Sequence, residues 1–348
     1  MFYKVFAGRT SFTGPAVSGA HPERAPLAYL ATALTGLWFG MAALPVQAQQ
    51  AGPSDESCAA ILHDFSQVLH SNRLDISATP RSLKDGGCAF DDVVITGGER
   101  YAPGFYADTV TVYGSILAWD RKGQMPSSDI VVGATGMRFA TKMGDARMDY
   151  LLGAQARVGE MVLDLRAAWD GSAKEVEISR FDLTFAGDSR ILFTARAKNI
   201  DLSTPGAAQM AIMGAALTDL DLEIRSFGLF EQLLLPVLVM MIPDTENTES
   251  DAGFAALVSE KKLELRTAIN QLPDAAFPAP SRAALAALLS DLPGPRGKLV
   301  VNFRSASGFG AARFARFALT GLPQTMKELA PLFDGTRFDI DWRRGDRS

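Results

Sequence analysis

The spacing of apolar residues changes several times along the chain, and each change marks a different kind of element. Between Ser54 and Asn72 it is helical. Ser54 can cap, Asp55 and Glu56 fill the first turn, and Cys58, Ile61, Leu62, Phe65, Val68 and Leu69 share one stripe. From Ala89 to Ser226 the period becomes two. In Met161–Trp169, Met161, Leu163, Leu165, Ala167 and Trp169 face one way, with Asp164 and Arg166 opposite. Asp170-Gly171 then predicts a tight hairpin turn with positive φ, and Gly187-Asp188 another. Between them Val176 and Ile178 change parity with Phe181, Leu183 and Phe185, which predicts a bulge at Ser179-Arg180. Leu220, Leu222 and Ile224 alternate with Asp219, Asp221 and Glu223.

After this alternation comes a nearly unbroken apolar run, Phe227 to Ile242, with Glu231 its only charge, then a polar acidic loop from Asp244 to Asp251. Amphipathic helices are predicted over Phe254–Leu272, on Phe254, Leu257, Val258, Leu265, Ile269 and Leu272, and over Ser281–Leu292, capped by Ser281. Strands resume at Leu299–Arg304 and around Phe314–Leu319. A short helix over Gln324–Phe333 precedes a last strand, Phe338–Trp342. Short turns between alternating segments make an antiparallel meander of about eleven strands. A run of strands followed by helices predicts an α+β fold, a large curved antiparallel β-meander with one face covered by helices. Residues 49–88 form an N-terminal helix tied to the sheet and 89–343 a single domain, the alternative being a split near residues 205 to 230.

The N-terminal 48 residues have a different character. Lys4, Arg9 and Arg24 precede an uncharged apolar stretch, Leu27–Val46, which ends at Val46-Gln47-Ala48 with Pro45 just before it. That is the pattern of a cleaved export signal, or of an inner-membrane anchor if cleavage does not occur. It places the remaining chain in the periplasm. Without Lys4, Arg9, Glu23 and Arg24, the chain beyond Ala48 holds 31 basic and 38 acidic residues, a net charge of −7. An acidic chain without a basic cluster argues against nucleic acid as a partner. Cys58 and Cys88 are the only cysteines, and in an oxidising compartment they predict one disulfide joining the first helix to the sheet.

Candidate chemistry is sparse. No nucleophile elbow, zinc-protease motif, Walker loop or EF-hand loop occurs. Gly308-Phe309-Gly310 lacks the third glycine of a dinucleotide fingerprint, since Arg313 stands there, and reads as a hairpin turn. His63 and His70 lie two turns apart on the polar side of the first helix, roughly 10 Å along its axis, too far to share one metal ion. Asp91-Asp92, Asp219/Asp221/Glu223 and Asp339/Asp341 could serve acid–base chemistry or calcium, but the last two sets alternate with apolar residues and read as a wetted sheet face. The run Phe227–Ile242 is too short for a bilayer span and is interrupted by Pro236. It reads as a helix against the sheet and, as a cavity wall, would present Leu229, Leu233, Leu234, Val237, Met240 and Met241 to an apolar ligand, with Met210 and Met213 adding adaptable packing.

The phrases Ile178–Leu183, Lys198–Leu202, Leu217–Ile224 and Gly297–Val301 resemble those of exported β-meander proteins of Gram-negative bacteria. More loosely the chain is similar to AsmA-like envelope proteins, although it has one block of helices instead of a long strand array. The resemblance implies an extended curved sheet associated with lipid handling and brings no catalytic residue. The expected function is therefore non-enzymatic and cofactor-free: binding of an apolar or lipid-like ligand in the cell envelope. The alternative is an envelope scaffold with a fully packed core that uses its outer strand faces and an edge to meet a protein partner.

Overall fold

The computed structural model describes residues 53–71, 73–97, 103–119, 124–141, 144, 146–231, 251–315 and 326–345. The proposed export segment and most of the apolar run and of the acidic loop lie outside them. Ten strands form one open antiparallel sheet in which spatial order equals chain order. They are β1 (Leu74–Ser82), β2 (Cys88–Gly97), β3 (Pro103–Tyr113), β4 (Ser128–Thr141), β5 (Met161–Asp170), β6 (Glu175–Thr184), β7 (Arg190–Lys198), β8 (Ala216–Phe227), β9 (Arg296–Gly310) and β10 (Thr336–Arg344). Among the described residues five longer helices accompany it: α1 (Asp55–Ser71), α2 (Ala146–Val158), α3 (Pro205–Gly214), α4 (Asp251–Asn270) and α5 (Ala279–Asp291). The fold is the expected α+β meander. The register slips between Ile178 and Phe181, which is the bulge that the parity change at Ser179-Arg180 predicts, and further slips in β1, β4 and β8 bend the sheet.

Cross-strand register carries one apolar face through the whole sheet. Phe90 pairs with Val110, Val110 with Ala134, Ala134 with Leu163 and Leu163 with Leu183. Leu183 then pairs with Ile191, Ile191 with Ile224, Ile224 with Leu299 and Leu299 with Trp342. The opposite face is a lattice of ion pairs between neighbouring strands: Asp164 with Arg180, Asp182 with Arg190, Glu175 with Arg196, Asp221 with Arg304 and Glu223 with Lys298.

Each end of the sheet is held by a helix. On α1, Cys58, Ile61 and Leu69 are buried, and Cys58 bonds Cys88 at the start of β2, with the Cα atoms 5.6 Å apart. Asp55, in the first turn of α1, accepts from the backbone N–H and hydroxyl of Ser82 on β1, both at 2.6 Å. At the other end α5 is fastened along β10. The buried Ser281 hydroxyl donates to the Phe338 carbonyl and accepts from the Ile340 N–H, and Asp291 accepts from Trp342 Nε1 and Arg344 Nε. The Phe338 N–H donates to the Ala276 carbonyl at 2.8 Å. Three β10 edge groups that could template another strand, the Phe338 N–H and carbonyl and the Ile340 N–H, are thus occupied.

Several expectations are corrected. Ser281 is no cap: α5 starts two residues earlier, after Pro278, and Ser281 serves the edge strand instead. Gly308–Gly310 is no hairpin turn, because β9 runs through it paired with Ala216 and Leu217, and Gly308 takes φ +83°. Asp170-Gly171 does not form a two-residue turn. Asp170 pairs with Glu175 across a four-residue loop, its carboxylate accepts from Ser172 and Ala173, and positive φ falls on Lys174. Strand β1 and helices α2 and α3 are elements that the apolar spacing does not predict. Phe314, placed in a strand by its pattern, lies in a 3₁₀ turn, Ala311–Phe314, and most of Phe314–Leu319 lies outside the described residues.

Candidate functional site

The apolar face is sealed in some places and half-covered in others. Over β4 and β5 it is closed: Val132 is 1% exposed and Trp169 2%, packed with Ile116, Trp119 and Met125. Near β9 and β10 an aromatic cluster closes it again. Phe277 stacks on Phe338 at 4.6 Å, and Phe338 lies 4.7 Å from the fully buried Phe303. Between these two regions Ile191, Phe193, Leu222, Ile224, Leu299 and Val301 occupy the same face but are only half-buried. This apolar floor is the candidate site.

Of the residues proposed to line a ligand, Leu229 is buried in the main core. Leu233, Leu234, Val237, Met240 and Met241 lie outside the described residues. Met210 and Met213 do not pack where the sequence suggested. They project from α3 at 72% and 66% exposure, while Ala208 and Ala211 make its buried side. The floor residues on β7, β8 and β9 were legible as an apolar alternation, but nothing local distinguishes a half-covered strand from a sealed one.

One cavity, about 450 Å³, opens beside α3 at the far end of β8 and β9, lined among others by Asn199, Ala216, Ser307, Gly308, Arg313 and Asp334. Arg313 would be its anion-binding group, yet all five of its N–H donors are committed. Nε donates to the Gly308 carbonyl, one terminal nitrogen to the carbonyls of Leu332 and Asp334, and the other to the hydroxyls of Ser305 and Ser307. The guanidinium clamps the β9–β10 connection to β9.

Apart from the exposed Asp92, the acidic candidates are engaged in ion pairs. Asp91 accepts from Arg81 Nε at 2.5 Å and from Thr109, and Arg81 holds its carboxyl below the usual range. Lys298, 2.6 Å away, followed by Arg225, does the same for Glu223. Asp219 and Asp221 meet Arg304, Asp339 meets Arg337 and Asp341 meets Arg343. A general acid at neutral pH needs its pKa raised, and Asp91 and Glu223 are shifted the other way. His63 is exposed, and His70 lies 3.2 Å from Asp75 with both side chains exposed. Among the described residues no group of three or more His, Cys, Asp or Glu could hold a metal ion, and no helix is long and apolar enough to cross a membrane. No protein-family model matches this sequence, and no curated protein matches it.

Proposed function

We propose that this protein binds an apolar, lipid-like ligand on the inner face of its sheet, as a non-enzymatic component of the cell envelope. One observation carries the reading. A face that is sealed over β4 and β5 and again at the β9–β10 phenylalanines is half-covered at Ile191, Phe193, Leu222, Ile224, Leu299 and Val301. An apolar surface left partly in water is what a ligand would cover, at roughly 25 cal/mol per Å² removed from water. The Cys58–Cys88 bond supports an oxidising compartment, and the resemblance to AsmA-like envelope proteins agrees with a lipid ligand. A scaffold role through the β10 edge has less support, because the Phe338 N–H and carbonyl and the Ile340 N–H are already bonded.

Solvent extraction of protein recovered from the producing cell, followed by mass spectrometry, should release a stoichiometric amphiphile. Recovered protein without one, together with no saturable binding of a fluorescent fatty acid, would remove the proposal.

A further inference from the structure

Helix α2, which connects β4 to β5, leaves several of its large apolar side chains exposed. At about 100° per residue, Asp149, Leu152, Gly153 and Ala156 share one half of the helix and Arg147, Tyr150, Leu151, Ala154, Arg157 and Val158 the other. Burial follows that division, but the exposed half of the helix carries large apolar side chains as well. The first group is half-buried and no residue of the helix is fully buried, whereas Tyr150 is 81%, Val158 78% and Leu151 48% exposed. The next strand continues the pattern, with Val162 also 48% exposed on the outer face.

The charges on the exposed half are of one sign. Arg147 and Arg157 lie there, and Asp149, the acid of the helix, lies on the half-buried side. Glu160, just past the helix, is shared between Arg138 at 3.6 Å and Arg157 at 3.8 Å, leaving Arg157 largely exposed. A cationic, apolar arc with a tyrosine on an otherwise acidic chain has the chemistry of a helix that lies in a membrane interface. A second copy of the chain fits it less well. Pairing α2 with itself antiparallel would bring Arg147 of one copy beside Arg157 of the other, and parallel pairing would set each arginine against its equivalent.

We propose that α2 docks this protein on an anionic lipid surface, with Tyr150, Leu151 and Val158 entering the interfacial layer and Arg147 and Arg157 meeting the headgroups. This goes beyond ligand binding by the sheet and does not depend on it.

Because both native cysteines are bonded to each other, an Ala154→Cys substitution gives one attachment point for an environment-sensitive fluorophore. The full chain, so labelled, is titrated with phosphatidylcholine vesicles with and without phosphatidylglycerol. The expected result is a blue shift with anionic vesicles only. The same label at Thr194→Cys, on the outer face of β7, should show none. Leu151→Asp together with Val158→Asp should weaken the response by about tenfold or more. Circular dichroism should stay unchanged, since neither residue is buried. No shift at position 154, an equal shift with neutral vesicles, or a concentration-dependent shift without vesicles would each overturn the proposal, the last in favour of self-association. Fatty-acid binding measured without vesicles reports separately on the sheet.

Discussion

Ser281 shows how one hydroxyl can hold a sheet edge. It is 2% exposed, donates to the Phe338 carbonyl and accepts from the Ile340 N–H. Ser281→Ala removes both bonds and leaves two backbone groups of β10 without them, so unfolding in urea should show a loss of about 1–3 kcal/mol. Asp201 gives a pH prediction. Ser203, then Lys174, lowers its carboxyl from the ordinary 3.8 to about 2. Its contribution to stability is present above pH 3.8 and is lost as pH falls through about 2. A carbon-13 titration should place its midpoint near 2, and Lys174→Ala should raise that midpoint only part of the way, since the Ser203 hydroxyl remains. At this scale the sequence identified residue types but not their partners. Ser281 follows two prolines and resembles a cap, and only the arrival of β10, 57 residues later, decides that its hydroxyl goes there.

Among the elements, α1 was readable almost to the residue, because capping, charge and stripe agree and Cys58 lies on the stripe. The disulfide closes a loop of 30 residues, worth about 3.6 kcal/mol by chain entropy. Reduction, or Cys88→Ser, should lower the melting temperature and loosen α1 first, seen as faster amide exchange in α1 and β1 than in β5. Strand β1 has a weak sequence signal because Pro80 interrupts its pattern; a proline is tolerated there because β1 is an edge strand. Helix α3 carried a usable signal, Thr204 followed by Pro205, and the Thr204 hydroxyl does accept from the Ala207 N–H. Helix α2 could not be found by looking for a buried stripe, since it has none.

For the molecule as a whole, the floor between the two sealed regions makes a measurable claim. Val301→Trp adds bulk where the face is half-covered, so it should weaken fluorescent fatty-acid binding by about tenfold while leaving the melting temperature little changed. An equivalent insertion at Val132, which is 1% exposed, should instead cost about 1–3 kcal/mol through overpacking, seen as a lower urea midpoint. The contrast separates a ligand surface from ordinary core.

The alternation of apolar and charged residues by itself determined the antiparallel meander, its greasy and wet faces and the bulge at Ser179-Arg180, because side chains two apart must share a face. It also marked the single disulfide, because only two thiols are present. Tertiary structure alone decided which stretches of the greasy face are sealed, where Ser281 and Arg313 spend their hydrogen bonds, and that Tyr150, Leu151 and Val158 of α2 stay exposed. Those outcomes depend on segments distant in the chain meeting in space, and a local pattern cannot encode how completely one surface covers another.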